Sequence, residues 1–487
     1  MKFGLTQKSR ITTEWVLLWT FIAALAWTPY WYGSNDLIAW GINAVLFPGL
    51  TLIYEIALLV RGQERPVAVR ELRLPIALFV AVALWAVVQD ATWTPSSLHH
   101  PIWAMTADAL NAPVDGSISV NRNATTLALL RLITSASVFW LAVQLCRNTT
   151  RATSFIITIV TIVAAYCAYG VVDLATLKSE NTIGPSFLTS TFINHNHFAA
   201  YGGIGLVAGC GQILNIFRGT LGTRGGSLRF KIATLIETAA HNAGPFLLAA
   251  FVIFVAVLLT GSRGGITATA LGVASLALLM LGRRKVKSSE RRLALILGII
   301  VIAAILMFFG DNLAFALAEK GLSDRSRMAV YMITLRSILD APLLGYGYGT
   351  FADVFPMIRD QSVSVLGSWE QAHDTYLEIF QGLGVVFGSM LMLSVAILVA
   401  QCCKAAMTRR EAMIPAVATS VGLLLGIHSL VDFSLQIQAV TLTFMAVLGA
   451  GVAQARPDLA PNGGALQTAS GLNHTVRGAT GSRTRRS

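Results

Sequence analysis

Twelve apolar runs, each long enough to cross a hydrocarbon layer, constrain this chain more than any other feature. A bilayer core roughly 30 Å thick takes about 20 helical residues per crossing. The runs cover about 15–33, 37–60, 74–90, 125–145, 154–174, 198–217, 244–260, 266–281, 293–309, 383–403, 412–431 and 436–454. Hydrophobic residues make up 55% of the 487 and charged residues only 12%, so a water-soluble globule of this length could not hide its own apolar surface. The expected fold is an all-α polytopic membrane protein of about twelve transmembrane helices.

Basic residues orient such a bundle, because cytoplasmic loops retain Lys and Arg. With the N-terminus inside, 27 of the 36 Lys and Arg fall in alternate segments expected to be cytoplasmic, eight fall on the opposite side, and Arg131 lies within a run. Both termini are therefore expected in the cytoplasm. The formal charge of +12 is then a topology signal spread over short inner loops that meet anionic lipid, and it does not indicate nucleic-acid binding. Lys2, Lys8 and Arg10 ahead of Ala24-Leu25-Ala26 imitate a signal peptide, but the apolar run continues to Trp31 and Tyr32, so it reads as an uncleaved first span. None of the five cysteines falls in an outer loop, which argues against a disulfide framework or a zinc site. The Gly-, Ser-, Thr- and Arg-rich stretch 455–487 has too few apolar residues to fold and reads as a basic cytoplasmic tail after a bundle of 1–454.

The outer loops are short except for 91–124, 175–197 and 310–382. A connection of about 70 residues signals function or a folded insert. After Ser323 and Asp324, either able to cap a helix, Arg325 to Leu339 places Met328, Tyr331, Leu335, Ile338 and Leu339 at helical spacing, and Asp340-Ala341-Pro342 stops it. Gly345-Tyr346-Gly347-Tyr348-Gly349 then permits a tight, closely approaching backbone, without the strand or Gly-Lys-Ser/Thr of a nucleotide loop. Trp369 to Gln381 reads as another helix, with His373, Tyr376, Leu377 and Phe380 on one face. A histidine there is mostly neutral near pH 7 and able to accept a proton, or else simply packed.

Arg263 lies in Thr260-Gly261-Ser262-Arg263-Gly264-Gly265, a short outer turn opening a helix. Free N–H groups and the dipole favour an anion at such a place, though a snorkelling arginine in a glycine hairpin would look the same. Arg131 lies about two turns inside the outer end of its run, where a charge is usually partnered, and Asp90 and Asp173 are the available acids; a structural pair is favoured over a substrate contact. In Asn194-His195-Asn196-His197, histidines two apart are poorly placed to share a metal from a helix, although an extended strand would allow it, and no convincing third ligand accompanies them. Donors to a glycan or phosphate are one reading, and helix capping by Asn194 or Asn196 is the other.

These motifs resemble, in order and spacing, the O-antigen ligase and polymerase superfamily. They are Thr-Gly-Ser-Arg-Gly-Gly at 260–265, Arg327 with Tyr331, the Pro342 to Phe351 glycine loop, Ala372-His373-Asp374-Thr375-Tyr376-Leu377, Gly382-Leu383-Gly384, and the Asn-containing helix entrance at 192–199. The likeness spans about 190–435, with two departures: Asp374 stands where Asn is frequent, and Tyr331 where Trp is frequent. The resemblance implies a GT-C-like ligase bundle with a partly helical periplasmic loop in the bacterial inner membrane. It further implies a metal-independent, inverting glycosyltransferase with no cofactor, moving an undecaprenyl-diphosphate-linked glycan onto a sugar hydroxyl of another glycan or of lipid A core. On that reading His373, Arg327 and Arg263 are the catalytic candidates, and Arg325, Asn194, Asn196, His197 and Tyr376 are substrate-binding candidates. The arginines would hold the diphosphate, and His373 would orient or deprotonate the acceptor. A repeat-unit polymerase for O-antigen or exopolysaccharide shares these residues. A transporter or flippase is the contrasting class, disfavoured because neither Glu55 nor Arg131 stands at midplane and the halves show no repeat.

Overall fold

The structure is a computed structural model that describes residues 7–178, 187–223, 237–281, 321–364, 369–409 and 411–456. Among these residues the regular structure is helical throughout, with no strand. The α-helices are α1 (Gln7–Trp27), α2 (Leu37–Arg61), α3 (Arg73–Asp90), α4 (Ile102–Leu110), α5 (Arg122–Leu145), α6 (Thr149–Lys178), α7 (His195–Thr223), α8 (Gly244–Leu259), α9 (Arg263–Leu281), α10 (Gly321–Asp340), α11 (Phe351–Ile358), α12 (Thr375–Thr408), α13 (Met413–His428) and α14 (Gln438–Gln454).

Seven helical segments are long and apolar enough to cross a membrane by length and composition, which makes the chain a polytopic membrane protein. They coincide with the runs expected at 37–60, 74–90, 125–145, 154–174, 198–217, 266–281 and 383–403. Four further runs correspond to shorter apolar helices, Thr13–Trp27, Gly244–Leu259, Met413–His428 and Gln438–Gln454, and the run at 293–309 lies outside the described residues. Twelve full-length crossings are thus not what the described helices provide. For α13 and α14 the reason is burial: 12 of 16 residues and 14 of 17 residues are enclosed by protein, so these helices need not match a lipid thickness.

Burial ranks the helices. In α7, 67% of the apolar window is buried, against 22–39% in the other six segments, so α7 stands with α13 and α14 at the centre. α14 packs along α5 and α13, α9 lies against α7 and α13, and α12 lies against α3 and α13. The outward faces keep large apolar side chains exposed, including Val60, Leu59, Val45, Leu248 and Phe251, a surface that lipid and not water can cover.

Chain alternation gives the bundle two distinct ends. At one, Arg151 Nη1 pairs with Glu14 Oε2 at 2.5 Å, Arg61 donates to Thr13, Gln144 exchanges hydrogen bonds with the Val67 backbone, and Gln454 Nε2 donates to the Cys146 and Arg147 carbonyls. At the other, Thr191 donates to the Pro29 carbonyl, the Ala439 amide to Gly33, and the Thr375 amide to Ser429. The first end carries the segments expected to be cytoplasmic, and the second carries the motif-bearing loops.

The long loop has its own small core of Val330, Ile333, Phe351, Phe355, Val363 and Ala372, with Trp369 packed against it. Its glycine run meets the other glycine motif directly. The Tyr346 amide donates to Gln381 O and the Gly347 amide to Gly382 O, while Gln89 Nε2 donates to both Leu344 O and Gly382 O. Gly384, at φ 76° and ψ 166°, breaks the helical path of α12 so that Val385 can donate to Pro342 O. Only glycine adopts that backbone without strain.

Candidate functional site

Asp432 sits in the turn joining α13 to α14 and is 1% exposed. Its Oδ1 accepts from the Phe433 amide at 2.7 Å, and the Ser434 hydroxyl donates to Oδ2 at 3.5 Å. Three histidines from three elements surround it. His197 Nε2, from the first turn of α7, stands 3.5 Å from Oδ1; His373 Nδ1 stands 4.0 Å from Oδ1; His428 Nε2, from the last turn of α13, stands 3.9 Å from Oδ2. Burial alone would raise the carboxyl. The neighbouring His197 and His428 and the Phe433 amide outweigh it and hold the group at about 2, so it is an anion at any physiological pH.

His373 precedes the helix that was expected to carry it. α12 begins at Thr375, because the Asp374 carboxylate caps it, accepting from the Tyr376 amide at 2.8 Å and the Leu377 amide at 3.0 Å. The expected helix from Trp369 and the shared face of His373 with Tyr376, Leu377 and Phe380 are therefore corrected: His373 is left-handed, φ 58°, outside the helix. Such a conformation is costly for a residue with a Cβ. It is held from both sides. The Tyr331 hydroxyl donates to His373 O at 3.0 Å, and the buried end of Glu378 accepts from the Ala372 amide at 2.6 Å. The ring is edge-to-face with Trp369 at 5.6 Å and with Phe433 at 4.9 Å, and Phe433 also meets His197 at 4.5 Å.

Burial lowers His373 to about 4, helped by the Arg327 guanidinium and by His197 against the opposing pull of Asp432. Its neutral form is thus the resting form at pH 7. Arg327 lies on α10 one turn before Tyr331, which places it beside the His373 segment. Arg325 is on the same helix, and its side chain lies outside the described residues.

Arg263 opens α9, where Ser262 Oγ accepts from the Gly265 amide at 3.1 Å. The next residue, Gly264, is pressed against the histidine cluster: a Cβ there would stand 3.0 Å from Val431 Cγ2 and 3.5 Å from His428 Nε2. Asn194 caps α7 by accepting from the Asn196 amide at 2.8 Å, so the capping reading of this pair holds for Asn194. Tyr376 donates its hydroxyl to Gly426 O at 2.7 Å.

A cavity of about 460 Å³ opens beside His373, and its lining includes Asn194, His197, Trp369, Phe433, Gln436 and Arg131. Of the residues singled out from sequence, His373, His197, Asn194 and Arg131 line it; Arg327 acts on His373, and Arg263 precedes Gly264 at the edge of the cluster; Asn196 and Tyr376 are not among the lining residues. Arg131 has different partners from those expected. Asp90 is taken by Arg122 and by the Thr126 hydroxyl. Arg131 donates to Gln436 O and lies 4.3 Å over the Trp40 ring. Gln436 Nε2 in turn donates to Glu378 Oε2 at 3.0 Å.

Sequence reasoning missed Asp432, His428, Glu378 and Gln436. The available signal was His428 with Asp432, polar residues four apart at the end of an otherwise apolar stretch.

Residues 248–393 match the family model described as O-Antigen ligase. That stretch contains Arg263, Arg327, the glycine loop and His373, and it ends before His428 and Asp432. No curated protein matches the chain.

Proposed function

We propose that this O-antigen-ligase-like chain is a glycosyltransferase of the inner membrane, both termini cytoplasmic, working at the periplasmic face. Its donor is a glycan on undecaprenyl diphosphate and its acceptor a sugar hydroxyl, with ligation onto lipid A core as the leading reaction. The observation that carries this reading is His373: neutral at pH 7, lining a cavity, with Nδ1 turned toward a buried carboxylate.

In the proposed step, His373 takes the proton of the acceptor hydroxyl through Nε2. The freed oxygen attacks the anomeric carbon of the donor sugar while the bond from that carbon to the diphosphate oxygen breaks. Undecaprenyl diphosphate leaves with the electron pair, and a single displacement inverts the anomeric centre. Asp432 steadies the imidazolium that forms, as a buried carboxylate behind a histidine does. Arg327 and Arg263 bind the diphosphate, whose departure needs cations more than an acid; Arg325 is the fallback for Arg327. No metal is required by this chemistry. Asn194 and Asn196 are proposed to donate to the glycan at the α7 entrance. His197 serves through its proximity to Asp432, and Tyr376 serves by fixing the start of α12 to α13.

The test is transfer by purified full-length protein in nanodiscs, with a defined lipid-linked oligosaccharide and candidate acceptors, in buffer containing a chelator. His373→Ala and Arg327→Ala are expected to lose about 10²-fold or more in rate. Normal transfer by either variant at matched protein levels overturns the assignment. In cells, loss of all long chains from lipid A on deletion supports ligation, whereas accumulation of single-repeat products shows a polymerase.

A further inference from the structure

Arg131 stands on the wall of the same cavity, nine residues inside α5, and the proposed transfer chemistry gives it no part. An arginine at such a depth in an apolar helix is costly unless something uses its charge. Its direct partners here are neutral. The guanidinium lies over Trp40, whose own Nε1 is fixed on Ser34 O at 2.8 Å, and it donates to the Gln436 carbonyl. Among the described residues no carboxylate forms a direct ion pair with it; Glu378 acts on it electrostatically and is joined to it through Gln436. These contacts fix Arg131 on the cavity wall with neutral groups as its direct neighbours. Around it are the amides of Asn35, Asn194 and Gln436 and the rings of Trp369 and Phe433, the mixture of hydrogen-bonding groups and flat apolar faces that suits a sugar ring. The volume lies within the range of roughly 300–1,000 Å³ typical of small-molecule sites.

We propose that Arg131 makes this cavity a subsite for an acceptor sugar bearing a single negative charge, a carboxylate or a phosphate ester, held beside the hydroxyl that His373 activates. The acceptor assignment rests on the transferase reading above; the anion site does not. One guanidinium matches one anionic substituent, whereas a diphosphate carries at least two charges and is assigned the two arginines outside the cavity lining. Glu370, the carboxylate among the lining residues, is solvent-exposed, so water screens its repulsion, while Arg131 is half-buried and less screened.

Full-length protein in nanodiscs is titrated calorimetrically with cellobiose and with cellobiouronic acid, which differ by one carboxylate; cellobiose 6-phosphate separates the phosphate source from the carboxylate source. Wild type is expected to bind at least one charged disaccharide about ten- to a hundred-fold more tightly than cellobiose, with the preference shrinking as salt is added. Arg131→Gln is expected to erase that ratio, and Arg131→Lys to keep part of it; the lysine variant is the one read if the glutamine variant fails to assemble. A merely structural arginine would weaken all three sugars together and leave the ratio intact, which overturns the proposal, as does equal binding of the three by wild type. In transfer assays Arg131→Gln should raise KM for the acidic acceptor alone. A raised KM for the lipid-linked donor with either acceptor would place Arg131 on the diphosphate and sink the acceptor assignment. If wild type forms no glycosidic bond from any lipid-linked donor yet keeps the binding ratio, the transferase reading fails and the acidic-sugar site stands.

Discussion

Burial removes His373 from water, Arg327 repels its charged form, and Asp432 at 4.0 Å favours that form without prevailing. The outcome is a base depressed from the ordinary 6.5 to about 4. The sign follows: the neutral ring is the favoured state of the fold, so its contribution to stability is complete above about 6.5 and is lost as pH falls toward 4. The acid limb of kcat/KM is accordingly expected near pH 4 in the free enzyme, with a flat profile from about 5 to 8; a limb near 6.5 would mean an exposed, ordinary histidine. Asp432→Asn retains the shape but removes the anion behind the ring, and the rate of transfer is expected to fall by about 10²-fold or more with the folded protein intact. His373 was legible as a candidate because it is polar in an apolar neighbourhood. Its carboxylate partner was not, since Asp432 comes from a different turn and no local spacing announces the pairing.

At the level of elements, the two glycine motifs are one joint. A Cβ on Gly345 would stand 2.4 Å from Gly382 O, and one on Gly384 would stand 2.4 Å from Leu343 O; both glycines also have positive φ. Gly384→Ala is expected to destabilise the protein by about 2–4 kcal/mol and to lower activity, although it touches no lining residue. Gly49→Ala, in open space on α2, is the control and should leave the melting temperature unchanged or slightly raised. The helix of Arg327 and Tyr331 was readable from period and stop signals. The start of α12 was misread because apolar periodicity continues backwards through His373, and the Asp374 cap overrides it. The close approach of the glycine loop was expected from its composition, whereas its target, the backbone of Gly382, requires the three-dimensional arrangement.

Over the whole molecule, hydrophobic patterning located the helices, but it did not separate those that face lipid from α13 and α14, which are enclosed by other helices; the same apolar residues serve both environments. Charge asymmetry predicts which end faces the cytoplasm, and labelling tests it. Gln361→Cys, exposed on the long loop, is expected to react with an impermeant maleimide on spheroplasts, while Glu64→Cys at the other end should react only after permeabilisation, each measured against the wild-type background. The reverse pattern would invert the proposed sidedness. The turn carrying Asp432 has a temporal consequence as well. A ribosome delivers the chain from its N-terminus, so a nascent polypeptide halted before that turn would already hold Arg263, Arg327 and His373 yet lack the carboxylate facing the imidazole. On the proposed roles, full competence to react would await the entry of the final helical pair into the bundle, and half-made copies in the membrane would be impaired by construction.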